Sequence, residues 1–377
     1  MHNQNLKFNF SGDLSCTGVF HNAVKKNVEI FDKEIIDTLN VADYNIVNLE
    51  GPTTNKKNYY RNNGLVISPY ETIEYLVNRN ITCFNLANNH LFDNGIEGYT
   101  DTINAITKNS GKKFGGGKNL EEAIKPLLFN KNGISIAMIG LSHEEGMIAS
   151  NTQAGVFCIK NNFTRIKRIA KKLKQENDWV IINYHGGEEF TRIPMPSRKK
   201  LLRKLTSTKA DIIIAHHSHV MQGYEVYNNK HIFYSLGNFV FDIEPHRTVN
   251  FIELSALLQI TFSKTTYNFI FTPTKIDLEK SRVSKGREDF VETIENLSNK
   301  IKYNYYKNWF QEAHRAFFNA HKKVPNSSVL RGKRHQSFKG LLFQKDTIKK
   351  FLNLILSENK RPLFLGALLY KVINRVK

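Results

Sequence analysis

Residues 210–220 read ADIIIAHHSHV. Ile212, Ile213, Ile214 and Ala215 form the short β-branched run of a buried strand, and the run ends in His216, His217, Ser218 and His219. Side chains alternate across a strand, so His217 and His219 are expected on one face and His216 on the other. Two imidazoles on one face at a strand end are a ready pair of metal ligands.

Outward from that stretch the same texture recurs. Apolar runs at 6–10, 44–49, 81–86, 134–141, 179–184, 211–215 and 231–236 are each short, and each precedes Gly, Asn, Asp or His. Between them lie stretches such as 163–175 and 198–206, where apolar residues recur every three or four positions. Alternation of strand and helix predicts an α/β domain with a largely buried sheet. Residues 251–262 and 267–276 read as a closing antiparallel pair. Beyond about 285 the pattern turns helical, at 290–303, 309–321, 346–357 and 361–376, with linkers at 325–328 and 331–336. This divides the chain into an α/β domain, 1–280, and a basic, mainly helical extension, 281–377.

In an open α/β sheet ligands bind beyond the carboxyl ends of the strands. Here those ends deliver Asp13, Glu50, the run Ala87-Asn88-Asn89-His90 and His185 as well as His217 and His219. Each alone has a plain explanation: a turn cap, a surface turn or a core histidine. Five strand ends doing so together favour a metal site. Carboxylate, amide oxygen and imidazole without thiolate suit Mn, Fe or Zn rather than calcium, and about six ligands suffice for one or two ions. Paired ions stabilise the attacking and leaving oxygens of phosphoryl hydrolysis. His90 is then the candidate general acid, and Asp93, three residues on, its orienting partner.

Composition narrows the classes. The chain has 377 residues, 41% hydrophobic, with 22 Gly and 9 Pro, which excludes a wholly disordered or collagen-like protein. Cys16, Cys83 and Cys158 are three scattered cysteines, too few and too far apart for a disulfide framework or a cysteine zinc site. No apolar run approaches the roughly 18 residues of a spanning helix, and residues 1–10 do not read as a signal peptide. The expected location is therefore cytoplasmic. The formal charge is +20, and residues 281–377 hold 21 Lys/Arg against 7 Asp/Glu. That excess is either a solvated face or the footprint of an anionic partner. Nucleic acid is disfavoured, because no recognisable nucleic-acid module is present. Apolar residues spaced among lysines over 345–377 suit an interfacial helix on the inner membrane face, or equally a helix docked on its own domain.

The same residues carry a family resemblance. FSGDL (10–14), VNLEGPTT (47–54), NLANNHLFDNG (85–95), GGGKNLEEAIKP (115–126), NYHGGEEF (183–190), ADIIIAHHSHVMQGYE (210–225) and YSLGNFVFD (234–242) resemble, in order and spacing, the capsule-synthesis CapA family. That family makes or attaches poly-γ-glutamate and other surface polymers, and is similar to the calcineurin-like metallophosphoesterases. The resemblance covers roughly 7–245 and implies a four-layer α/β sandwich, with Asp13, Glu50, Asn89, His185, His217 and His219 as ligands and His90 as acid. Three departures stand out: Ser15 replaces the imidazole of Asp-x-His, Glu50 replaces Asp, and Gly186 replaces an aromatic residue. The first weakens one metal position. The glycines at 115–117 read as a tight turn before a helix near Asn119. Two functions follow. One is a metal-dependent phosphoesterase acting on an anionic polymer or phosphoester. The other is a non-catalytic capsule-assembly factor that binds such a polymer or a partner in the same pocket.

Overall fold

The computed structural model describes residues 5–56, 65–143 and 146–322, together with Pro362, Leu365, Gly366, Leu369 and Tyr370. Two sheets dominate. In the first, the strand order is Arg282–Lys285, Tyr267–Asp277, Leu254–Phe262, Leu6–Leu14, Tyr44–Leu49, Ile81–Asn85 and Lys112–Phe114, with Asn238–Val240 also paired to Leu6–Leu14. Leu6–Leu14 through Lys112–Phe114 are mutually parallel, and the strands from Leu254 onward close the sheet antiparallel, as their alternation predicts. In the second sheet the order is Tyr224–Tyr227, Lys230–Phe233, Ile212–His216, Trp179–His185, Ile134–Ser142 and Leu127–Lys131.

Strand parity explains how the sheets stack. Phe8 and Phe10 of the first sheet share one core with Ile136, Met138, Ile181, Ile212 and Ile214 of the second. The intervening residues Ala137, Ile139, Val180, Ile182, Ile213 and Ala215 face a different core, lined by helices Phe163–Glu176 and Pro196–Leu205. The far face of the first sheet packs on helices that include Val19–Lys25, Lys33–Asn40, Thr72–Val77 and Gly95–Lys108. The result is helices, sheet, sheet, helices: the four-layer α/β sandwich. Such double-sided burial is why the strands read as continuous apolar runs.

The C-terminal part described is docked on this body. Arg282–Lys285 is the edge strand of the first sheet. Helices Phe290–Lys302 and Tyr305–Lys322 cover the second sheet, burying Leu297, Ile301, Trp309 and Ala313 in its outer core. The predicted elements at 346–357 and 361–376 and the linkers at 325–328 and 331–336 lie outside the described residues, except that Pro362, Leu365, Gly366, Leu369 and Tyr370 are helical. The turn at 115–117 leads, as expected, into a short helix, Leu120–Ala123, capped by the Asn119 side chain on the Glu122 N–H.

Candidate metal centre

The strand ends converge where the two sheets meet. The first sheet brings Asp13 through a bulge at the end of Leu6–Leu14, where Gly12 lies so close to Gly237 that a Cβ would sit 1.9 Å from the Gly237 oxygen. Asp13 Oδ1 accepts from Asn48 Nδ2 at 2.8 Å, and Oδ2 accepts from the His217 N–H at 3.3 Å. Glu50 follows Tyr44–Leu49 directly and turns inward ahead of Gly51, whose φ of +89° a side chain would strain.

Around Glu50 stand three imidazoles. His219 Nε2 and His90 Nε2 are each 3.8 Å from Glu50 Oε1, and His185 Nε2 is 4.0 Å away. His185 Nε2 is also 2.8 Å from Asn89 Oδ1 and 3.1 Å from His217 Nδ1. Two ligand-type groups result, Asp13–Glu50–His219 and Glu50–His185–His217, each with its donor atoms within 4.8 Å, and they share Glu50. Asp13, Glu50, Asn89, His185, His217 and His219 thus meet in one cleft.

The donor set is tested by its own electrostatics. Both Glu50 oxygens are buried and, among the described residues, have no hydrogen-bond partner. A buried, unpartnered carboxylate is strongly destabilising unless a cation faces it. Burial, then the charge of Asp13, pushes the Glu50 pKa well above its usual value, and burial raises Asp13 to about 7. Burial likewise holds His216 and His217 down to about 3, and His185 and His219 well below the ordinary histidine range. Neutral imidazoles are the ligand form, so the donor chemistry fits a divalent transition metal.

His90 differs from these ligands. Its Nδ1 lies 2.6 Å from Asp93 Oδ2, which also accepts the Val66 N–H at 3.0 Å. The His90 side chain is 15% exposed against 1% for Asp93, so the imidazole reaches the opening while its partner is fixed behind it.

One expectation fails. His216 does not point away: its Nδ1 lies 3.7 Å from Asp13 Oδ1, buried and with no hydrogen-bond partner among the described residues. It shares the parity of Ile212 and Ile214, which is the side facing the other sheet. The strand ends at His216, and His217 and His219 reach the cleft from left-handed backbone, φ +95° and +59°, where strand alternation no longer applies.

Sequence reasoning also missed four contributors. Asn48, two residues before Glu50, bridges Asp13 Oδ1 and His185 Nδ1, and strand parity from Glu50 would have found it. Asn238 Oδ1 sits 3.0 Å from His219 Nδ1. Glu189 Oε1 stands 3.9 Å from His217 Nε2 at the exposed rim and forms a third group with His217 and His219. His246 packs its ring 4.9 Å from that of His219. Nothing in the local sequence singles these last three out. Ser15, at the missing imidazole, bonds instead to Ser68 Oγ at 3.0 Å.

The fold and site define a four-layer α/β protein with a cluster of metal-ligand-type side chains, one carboxylate shared between two groups, at its strand ends. Residues 7–243 match the family described as bacterial capsule synthesis protein PGA_cap, and the chain belongs to that family. It is 34% identical over 254 residues to PGA biosynthesis protein CapA of Bacillus subtilis, covering 66% of this chain and 65% of that one. Capsule biosynthesis protein CapA of Bacillus anthracis is 37% identical over 227 residues, 58% of this chain and 54% of that one. The chain therefore spans just under two thirds and about half of these relatives. Among solved structures, a 5'-nucleotidase precursor from Thermus thermophilus superposes with a TM-score of 0.41 at 11% identity, covering 78% of this chain and 58% of that one. That likeness is too distant to speak about activity.

Proposed function

We propose that the chain is a metal-dependent phosphoesterase acting in the synthesis or attachment of an anionic capsular polymer. The observation that carries this is Glu50: a carboxylate buried without a partner, shared by two groups of ligand atoms, with a histidine–aspartate pair at the rim. Asp13, Glu50, Asn89, His185, His217 and His219 hold one or two ions of Mn, Fe or Zn. Such ions neutralise phosphoryl oxygens and lower the pKa of water. His90 donates a proton to the leaving oxygen, and Asp93 accepts the His90 Nδ1 proton in a hydrogen bond and so turns Nε2 toward the groups around Glu50.

The missing first-site imidazole favours a second reading, in which the same cleft binds the polymer or a partner without cleaving it. Hydrolysis of bis(4-nitrophenyl) phosphate separates the two. His90→Asn is expected to lower turnover about 10²–10⁴-fold while metal content stays near wild type, whereas Asp13→Asn loses the metal. Equal metal loss in both variants makes His90 a ligand. No turnover by the wild type with Mn, Fe or Zn leaves the binding reading.

Contact with the membrane, on this account, is peripheral and made by the basic C-terminal stretch. Among the described residues no helix is long and apolar enough to cross a membrane. Salt-sensitive binding to anionic vesicles that disappears on deletion of 346–377 is the expected outcome. Unfolding of the deletion variant would instead make that stretch a structural cap.

A further inference from the structure

Beside the rim of the metal centre lies a second cavity of about 520 Å³, between the 186–194 loop and the two C-terminal helices Phe290–Lys302 and Tyr305–Lys322. Its walls carry Arg192, Arg315, Lys300 and one carboxylate, Glu312. That carboxylate is already engaged. Arg315 donates to it twice, at 2.5 and 3.0 Å, and the Arg192 backbone N–H donates a third bond at 2.5 Å. The Arg192 guanidinium has no hydrogen bond or ion pair with any described residue. It lies with its carbon 4.2 Å from the centre of the Phe251 ring, and Arg315 sits 5.7 Å from the same centre.

Two guanidinium groups on one aromatic ring, with a lysine nearby and a single committed carboxylate, leave the cavity short of negative charge among the described residues. Burial lowers the Arg192 pKa below its usual value; Glu312 opposes that shift and Arg315 adds to it. The chain after Lys322 is itself strongly basic, with 13 Lys/Arg against 2 Asp/Glu. Stacking on Phe251 covers one face of the Arg192 fork. Its edge is the part that pairs with an oxyanion through two parallel N–H bonds.

We propose that this cavity is an oxyanion subsite in which Arg192, backed by Arg315 and Phe251, receives an acidic group of the substrate chain next to the one engaged at the metal centre. Arg192 stands three residues from Glu189 on the same loop, and Arg315 of the cavity wall donates to the carbonyl of Phe190, next to Glu189, which sets the cavity beside the rim of the cleft. The inference rests on the reading that the substrate is an anionic polymer. The carboxylate or phosphate in question is one that repeats along the polymer, recognised without being cleaved.

The test is calorimetric titration of the full chain, stripped of metal by dialysis, with a γ-linked glutamate decamer and, separately, inorganic phosphate. Arg192→Gln is expected to weaken binding of at least one of the two by tenfold or more, and Arg192→Lys by less. Whichever probe responds identifies the oxyanion. Lys200→Gln, in a separate basic pocket with Arg203 and Lys204, controls for diffuse attraction. Three outcomes overturn the proposal: wild-type affinity in Arg192→Gln, an equal loss in Lys200→Gln, or wild-type binding of neither probe until Mn²⁺ is added, which places the anion on the metal. Unfolding midpoints are recorded for every variant, and if Arg192→Gln unfolds, Arg192→Lys decides: measurably weakened binding supports the subsite, and wild-type affinity overturns it. Because metal is absent, a negative result here leaves the hydrolase reading intact, and an inactive enzyme leaves this subsite intact.

Discussion

Glu50 is the residue at which stability and function conflict. Its two oxygens lie buried without a partner, and burial with the neighbouring Asp13 raises its pKa. The metal-free fold therefore bears a penalty that Glu50→Gln removes. The metal-free variant should melt several degrees above wild type at pH 7, yet gain nothing from added Mn²⁺. A variant that is less stable without metal would show that Glu50 has a native partner. His216 makes a second residue-scale prediction. Its buried Nδ1 faces Asp13, so His216→Phe should weaken metal binding about 10–100-fold, as loss of a group orienting a ligand does. Unchanged affinity in a direct titration would reduce His216 to packing. The sequence made His217 and His219 legible, because clustered imidazoles at a strand end are rare without use. It misplaced His216, because the parity rule was applied to residues already beyond the strand.

At the scale of elements, the metal-centre loop is held from outside the sheets. The helix Tyr305–Lys322 engages alternate residues of that loop: Arg315 donates to the Phe190 carbonyl, Glu312 accepts from the Arg192 N–H, and the Tyr305 hydroxyl donates to the Pro194 carbonyl at 2.7 Å. Phe190 has a left-handed backbone, φ +61°, and stacks on the candidate ligand His219 at 5.9 Å. Glu312→Ala leaves the Arg192 N–H without its acceptor, which should cost about 1–3 kcal/mol. Amide exchange over 186–194 should quicken more than over the sheet strands. Uniform acceleration would indicate global destabilisation instead. None of these bonds was legible in the chain, since they join residues more than 100 positions apart and use backbone groups. Interior strands such as Ile134–Ser142 and Ile212–His216 were legible because apolar residues dominate them, whereas the short, polar Lys112–Phe114, Tyr224–Tyr227 and Arg282–Lys285 were not. Helices such as Gly95–Lys108, with two glycines and several β-branched residues, form because tertiary burial of Tyr99, Ala105 and Ile106 overrides weak propensity.

For the whole molecule, the site dominates the acid response. His185, His216, His217, His219 and His246 have lowered pKa values, mainly from burial, so the native state resists protons that the unfolded chain binds below about pH 6.5. That group of histidines destabilises the fold progressively as pH falls from 6.5. Asp13 and Glu50 act oppositely: their raised values make the native state hold protons that the unfolded chain has released, which favours folding as pH falls toward about 4. The histidines outnumber the carboxylates. Calorimetry of the metal-free chain should therefore show the melting temperature dropping between pH 7 and 5. A flat or rising midpoint would mean that the imidazoles are charged or exposed.

The central claim is that the cleft around Glu50 is a metal centre. Titration of the metal-free chain with Mn²⁺, followed by the loss of the free-ion electron paramagnetic resonance signal, tests it most directly. The account predicts saturation at one or two ions per chain in the wild type and no saturable binding in Glu50→Gln, with His90→Asn binding as the wild type does. Absence of saturable binding in the wild type, or undiminished binding in Glu50→Gln, would contradict it.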